Sequence, residues 1–272
     1  MGTQEDAKAR AATTYNAASD YFDNPANSFW ERFGRRTVQR LELTPDARVL
    51  DVCCGSGASA IPAAEIVGPN GFVLGVDLAE NLLDLARSKA KQSGLNNLEF
   101  RTADMLDLRL PDASFDAVVC VFGIFFVPDM EAAVRELWRL VRPGGKLAIT
   151  TWGPGFFEPA TTAFWESVRA VRPDLYKGFN PWDRISEPEA VRALFAAAGI
   201  ENVDVVAEAG VHRLGSADEW WPMVLGTGYR GTVEQLNAAE RERVRLENLD
   251  FIRRSEVHSV QVNVVYAVAV RR

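Results

Sequence analysis

Three cysteines and two histidines are few for a chain of 272 residues. Cys53 and Cys54 are neighbours and Cys120 lies far along the chain, so no pair has zinc spacing and no disulfide framework is implied. They read as small reduced fillers, as in a cytoplasmic protein, and no metal is expected. Basic residues are also short: 30 Lys and Arg against 37 Asp and Glu give a formal net charge of -7. A nucleic-acid binder would carry a basic face, so no nucleic-acid partner is expected. Residues 1–20 lack the basic start and apolar run of a secretion signal. The longest apolar run, Ala117 to Val127, contains a glycine and is too short to span a bilayer, so no membrane span is expected. No internal repeat is visible, and the pattern leaves the oligomeric state open.

What is present centres on Arg48 to Ala60. An apolar strand, Val49 to Val52, runs into a loop of small residues, and a helix follows through Ala58, Ile61, Ala64 and Ile66. Gly55 and Gly57 carry no Cβ, so a ligand can approach the backbone N–H groups at the helix start. Asp51 sits near the carboxyl end of the strand, where a doubly wound sheet binds its ligand, and suits a ligand with a positive charge. Gly55-Ser56-Gly57-Ala58-Ser59-Ala60 also fits the dinucleotide fingerprint, with Asp77 about 20 residues on. The loop alone leaves both cofactors open.

Around this loop, strands and helices alternate. The strands expected are Arg48–Cys53, Gly71–Asp77, Leu98–Thr102, Ala117–Phe122 and Lys146–Trp152. The helices between them are Ala58–Val67, Glu80–Gln92 and Pro128–Val141, the last closed by Pro143-Gly144-Gly145. This predicts a parallel sheet covered on both faces. Residues 1–14 read as a frayed or loose helix, Asn24-Pro25 as a break, and Ser28 to Leu41 as a helix with Phe29, Phe33 and Val38 on one face. A helix is expected over Thr162 to Arg172. Ser186-Glu187-Pro188-Glu189 reads as a capping box opening the next helix, which ends at Gly199. Val203–Ala207 makes a sixth strand. Short and long helices start at Ser216 and Asn237, and one strand, Val260 to Val270, ends the chain. The division is an N-terminal helical lid (1–44), a core (45–153, 186–215 and 259–272) and two cap inserts (154–185 and 216–258).

Two further acids end strands: Asp77 in Gly75-Val76-Asp77-Leu78 and Asp104 in Thr102-Ala103-Asp104-Met105. The first can accept from ribose hydroxyls. The second, with a following backbone N–H, can read an adenine edge, which a dinucleotide fold does not require. With Val49 to Gly57, Phe122-Gly123-Ile124 and Leu140 to Lys146, these segments resemble the class I S-adenosylmethionine-dependent methyltransferases. Within them the chain is most similar to the small-molecule group around the ubiquinone and menaquinone C-methyltransferases. The resemblance implies an α/β, doubly wound, Rossmann-like sheet of seven strands, the last antiparallel, with helical cap inserts. It implies S-adenosylmethionine as cofactor, with Asp51 near the methionine amine and Cys53, Gly55, Ser56 and Gly57 around methionine and ribose. Asp77 would hold the ribose, Leu78 would lie under the adenine, Ala103, Asp104 and Met105 would read its edge, and Val121 and Phe122 would line the methionine side. Cys53 stands where the family has its first loop glycine, and a residue with negative φ is expected to fit there. Phe125-Phe126 replaces polar residues of the quinone enzymes, implying a greasier floor.

The activity expected is methyl transfer to carbon or oxygen of an apolar or aromatic small molecule. Such a displacement needs mainly alignment and exclusion of water. Seven tryptophans exceed what a core of this size requires. The substrate pocket is expected to draw on Tyr21, Phe29, Phe125, Trp152, Phe156, Trp220, Trp221 and Tyr229, with Arg230 a candidate for an anionic group. If a base is needed, His212 beyond the sixth strand is the candidate, with His258 its rival. The alternatives are an NAD(P)-dependent oxidoreductase and a non-methylating S-adenosylmethionine-binding cyclase or regulatory protein.

Overall fold

The computed structural model describes residues 4–272. Its strands are β1 (Arg48–Val52), β2 (Phe72–Asp77), β3 (Leu98–Thr102), β4 (Phe115–Val121), β5 (Val141–Trp152), β6 (Val203–Glu208), β7 (Val211–Arg213), β8 (Ser259–Gln261) and β9 (Val264–Val270). Seven of them form one sheet in the order β3-β2-β1-β4-β5-β9-β6. The first five pair in parallel, and β9 runs antiparallel to both β5 and β6. Side chains alternate between faces as strand geometry demands: Val49, Val73 and Val119 pack on one side, Leu50, Leu74 and Val118 on the other. Both faces are buried, so these strands are apolar throughout rather than every second residue.

Helices α1 (Gln4–Phe22), α2 (Phe29–Leu41), α3 (Ala60–Val67) and α4 (Glu80–Gln92) precede β3, and α5 (Met130–Leu140) joins β4 to β5. The later helices are α6 (Ala160–Val171), α7 (Pro188–Ala197), α8 (Trp220–Leu225), α9 (Arg230–Val233) and α10 (Ala238–Arg254). Asn237 and Glu240 cap the start of α10 reciprocally, as the sequence suggests. The Ser186 capping box does not form. Glu187 is the N-cap without a side-chain bond, and Ser186 instead donates to the Asp183 carbonyl. Where described, the N-terminal segment is no loose helix but a regular one through Phe22, and residues 1–3 lie outside the described residues. It stays regular because it packs on α4, α8 and α9.

Two boundaries differ from the sequence pattern for local reasons. Helix α5 stops at Leu140, and β5 begins at once and runs through Pro143-Gly144-Gly145. Gly144 takes a positive φ, and the pairing register with β4 shifts there. The last valine run is not one strand. Asn263 interrupts it, accepting from the Gly210 N–H and donating to the Pro154 carbonyl. The chain bends there, and β8 leaves the main sheet to pair with β7.

Helix α2 holds the loop after β1 in place through one close approach. A Cβ at Gly34 would sit 2.3 Å from the Ala58 carbonyl oxygen. Gly34→Ala should therefore cost about 1–3 kcal/mol of stability, read by urea denaturation. A midpoint equal to that of the parent chain would show that this helix–loop contact can relax freely.

Candidate functional site

The carboxyl ends of β1 and β4 turn sharply. Cys53, directly after β1, has φ +58°, and Phe122, directly after β4, has φ +54°. Cys53 therefore does not take the negative φ expected of it; it keeps the left-handed backbone that glycine normally supplies, at a cost of roughly 1–3 kcal/mol. Its side chain is accommodated because Gly123 has none: a Cβ there would meet the Cys53 Cβ at 2.5 Å. The contact with Cys120, then burial, pushes the Cys53 thiol pKa up, so it stays protonated and inert. All three cysteines are free.

These turns open a first cavity of about 110 Å³. Cys53, Gly55, Asp77, Leu78, Ala103, Asp104, Met105, Val121 and Phe122 all line it. Asp77 is fixed by two backbone donors, Gly55 N at 2.8 Å and Ala79 N at 2.9 Å. Each carboxylate oxygen keeps a lone pair for a further donor. Burial raises the Asp77 pKa against those bonds. Asp104 bonds the Leu106 N–H at 2.9 Å and forms an ion pair with Lys8 of α1.

Three of the sequence-predicted residues stand behind this lining. Asp51 is fully buried, accepts from the Ser59 hydroxyl at 2.7 Å, and leaves its other oxygen without a partner. Burial, then the nearby Asp77 charge, pushes its pKa up to about 7 despite the Ser59 bond. Ser56 turns away to Asp23 and Lys89. Gly57, at φ +87°, faces Ile61 and Phe100.

A second cavity, about 620 Å³, adjoins the first and shares Ala11, Tyr15, Trp30 and Phe126 with it. Phe125, Trp152, Phe156 and Tyr229 line it, together with Trp165 and Trp182. The rings order one another: Phe122 stacks on Trp152 with centroids 3.8 Å apart, and Phe22 stacks on Trp30 at 5.1 Å. The other expected pocket residues lie off both linings. Phe29 and Trp220 are fully buried, Trp220 bonding Asn248 through its indole N–H. Tyr21 offers its carbonyl to Asn27, and Trp221 packs in the core. Arg230 is not solvated; it pairs with Asp20 and Glu234.

His212 is not brought to either cavity. It lies in β7, buried edge-on against Phe29 with centroids 5.3 Å apart, and burial followed by the Arg32 charge lowers its pKa. The physical reason is the break at Asn263, which draws β7 into its own small sheet. His258 sits beside that sheet, and its carbonyl accepts from Leu214 N. Sequence reasoning missed Lys8, Phe22, Trp30 and Tyr15 as lining residues. For the three aromatic ones the signal was the gathering of Tyr15, Tyr21, Phe22, Phe29, Trp30 and Phe33 on both sides of Asn24-Pro25; which of them face the site was not readable from spacing. Among the described residues, no three His, Cys, Asp or Glu side chains gather to hold a metal ion. Nor is any described helix long and apolar enough to cross a membrane.

The chain was compared with known proteins. A family model described as a methyltransferase domain matches residues 49–145. A demethylmenaquinone methyltransferase of Listeria monocytogenes is 39% identical over 190 residues, 66% of this chain and 80% of that one. Among solved structures, a SAM-dependent methyltransferase from Aquifex aeolicus aligns with TM-score 0.55 and 24% identity, covering 70% of this chain and 91% of its own. The YcgJ protein of Bacillus subtilis aligns with TM-score 0.58 and 18% identity, covering 89% and 99%. These two likenesses concern the fold.

Asp51 makes a stability test. The folded chain keeps its proton up to about pH 7, whereas the unfolded chain loses it near pH 4. Its contribution to stability is present below pH 4 and is lost as pH rises to 7, then stays level. Asp51→Asn lacks this loss. Between pH 5 and pH 7.5 its stability relative to the parent should rise by about 2 kcal/mol, measured by urea denaturation at both pH values. A pH-independent difference would mean that the buried carboxyl is ionised throughout.

Proposed function

The chain belongs to the class I S-adenosylmethionine-dependent methyltransferases, and from this premise we propose that it methylates carbon or oxygen of an apolar or aromatic small molecule held in the second cavity. The cofactor is S-adenosylmethionine. The observation that carries the reading is the shared wall: Tyr15, Trp30 and Phe126 line both cavities, so a donor in one and an acceptor in the other would be neighbours.

The first cavity suits the cofactor chemically. Asp77 presents free lone pairs for two ribose hydroxyls. The unpartnered oxygen of Asp51 wants a cation, and an amino group would satisfy it. Met105 and Leu78 give an apolar slot for a flat base, with Asp104 at its edge. The cavity is smaller than the roughly 300–1,000 Å³ of small-molecule sites, because α1 lies across it and Lys8 pairs with Asp104. Binding then moves α1 aside and exchanges the ion pair for contacts to the ligand.

S-adenosylmethionine supplies a methyl group already activated on a sulfonium. What this chain's residues add is position and dryness. Trp30, Phe126, Trp152 and Phe156 hold a flat acceptor and exclude water. Tyr15 does not serve as a base, because burial, then the nearby Asp77 charge, raises its pKa further. Glu234 is held by Arg230. Alignment of an acceptor that enters ionised, or that is nucleophilic as a carbon, accounts for the activity without a general base.

Incubation with labelled S-adenosylmethionine and an extract of small molecules from the source tests this directly. One labelled apolar or aromatic product, identified by mass spectrometry, is the expected result; label transferred only to protein or nucleic acid would contradict it. Two variants test the cofactor side by calorimetry with S-adenosylhomocysteine. Asp77→Ala should lose about 2–4 kcal/mol of affinity with the fold intact. Lys8→Met, which removes a competitor from Asp104, should tighten binding by up to about fivefold, the range of a partly exposed ion pair. Weaker binding in that variant would make Lys8 a ligand contact instead.

A further inference from the structure

The second cavity is not uniformly greasy. One end carries two cations, Lys177 and Arg10. Burial, then the Arg10 charge, lowers the Lys177 pKa. Lys177 is an exposed residue whose ammonium stands 5.8 Å from the Trp165 ring centroid. Among the side chains of residues 8–272, none forms an ion pair with Lys177 or Arg10. Glu234, the acid on the lining, is already engaged by Arg230 at 2.8 Å.

The rest of the lining is aromatic. Trp165 lies at the Lys177 end, and Trp30 lies on the wall shared with the first cavity. Both are less than a tenth exposed, and they offer the cavity ring surface rather than their sealed indole N–H groups. Phe156 and Trp182, also on the lining, meet edge-on with centroids 5.0 Å apart. The cavity thus offers cations at one end, an aromatic lining, and a wall shared with the first cavity at the other.

We propose that the acceptor is an aromatic molecule bearing an oxyanion, its anionic group held by Lys177 and Arg10, and its reacting end turned toward the wall shared at Trp30. The inference rests on reading the second cavity as the acceptor's. The anionic group fixes which end of the molecule meets the first cavity. Lys177 and Arg10 are in this account specificity-determining residues, distant from the transferring group. An uncharged quinone would leave the cation end unused.

Two fluorescent probes with the same rings test it: anilinonaphthalene sulfonate, which is anionic, and N-phenylnaphthylamine, which is neutral. The full chain should bind the anionic probe about tenfold more tightly than the neutral one. Lys177→Met keeps the stem and removes the charge, and it should erase that preference without weakening the neutral probe. Arg10→Met removes the second cation, and it should weaken the anionic probe selectively. Equal affinities in the parent chain, or a Lys177→Met loss shared by both probes, would overturn the proposal. Displacement by naphthoate and by naphthyl phosphate then tells a carboxylate from a phosphate; neutral naphthamide displacing as well as both would also overturn it. S-adenosylhomocysteine binding, measured on the same preparations, keeps the two readings apart. Cofactor binding with no anion preference sinks this proposal alone, whereas absence of cofactor binding sinks the reading beneath it.

Discussion

Two carboxyls are held close together inside the protein, and the site is built on that constraint. Asp51 lies in β1 and Asp77 ends the neighbouring β2, each enclosed and each raising the proton affinity of its site. Ser59 and the backbone N–H groups of Gly55 and Ala79 compensate them only in part. A cluster of this kind is least comfortable when ionised and empty, and most comfortable beside a ligand that brings a cation and hydroxyl donors. The left-handed turns at Cys53 and Phe122 follow from the same need. They carry the chain sharply away from the strand ends and leave Asp77 on the cavity lining, with Asp51 buried behind it.

The loop from Cys53 to Gly57, the acids at Asp77 and Asp104 and the alternation of strands were legible because they are local. A strand end, a turn and a helix start are specified by neighbours in sequence. Leu98–Thr102 and Glu80–Gln92 match the expected bounds for that reason. What was not legible depends on distant partners. Nothing near His212 tells that Asn263 will bend the last strand and carry β7 into a separate sheet. Nothing near Lys8 tells that its ammonium will reach Asp104, 96 residues away. The aromatics were visible as a group, but Trp152 and Trp30 line the second cavity while Trp220 is sealed in the core against Asn248. Composition cannot make that division.

The inserts add to the shared sheet the helices that help to close the second cavity. The sheet and its loops are what the chain has in common with its relatives, and the family match at residues 49–145 falls on them. The second cavity draws on both: Phe125, Phe126 and Trp152 come from the core, Trp30 from α2, and Trp165, Trp182 and Tyr229 from the two inserts. Tyr229 shows how firmly these are set, its hydroxyl bonded to Thr161 at 2.7 Å across the cavity wall.

The central claim is that the buried Asp51 carboxyl, beside Asp77, accepts the cation of the cofactor. Calorimetric titration with S-adenosylhomocysteine in two buffers of different ionisation enthalpy measures it, because the difference in heat counts protons exchanged on binding. With Asp51 titrating at about 7 in the free protein, close to one proton should be released per ligand at pH 6. That release should vanish by pH 8.5 and in Asp51→Asn. Binding heats independent of buffer at pH 6 would contradict the account.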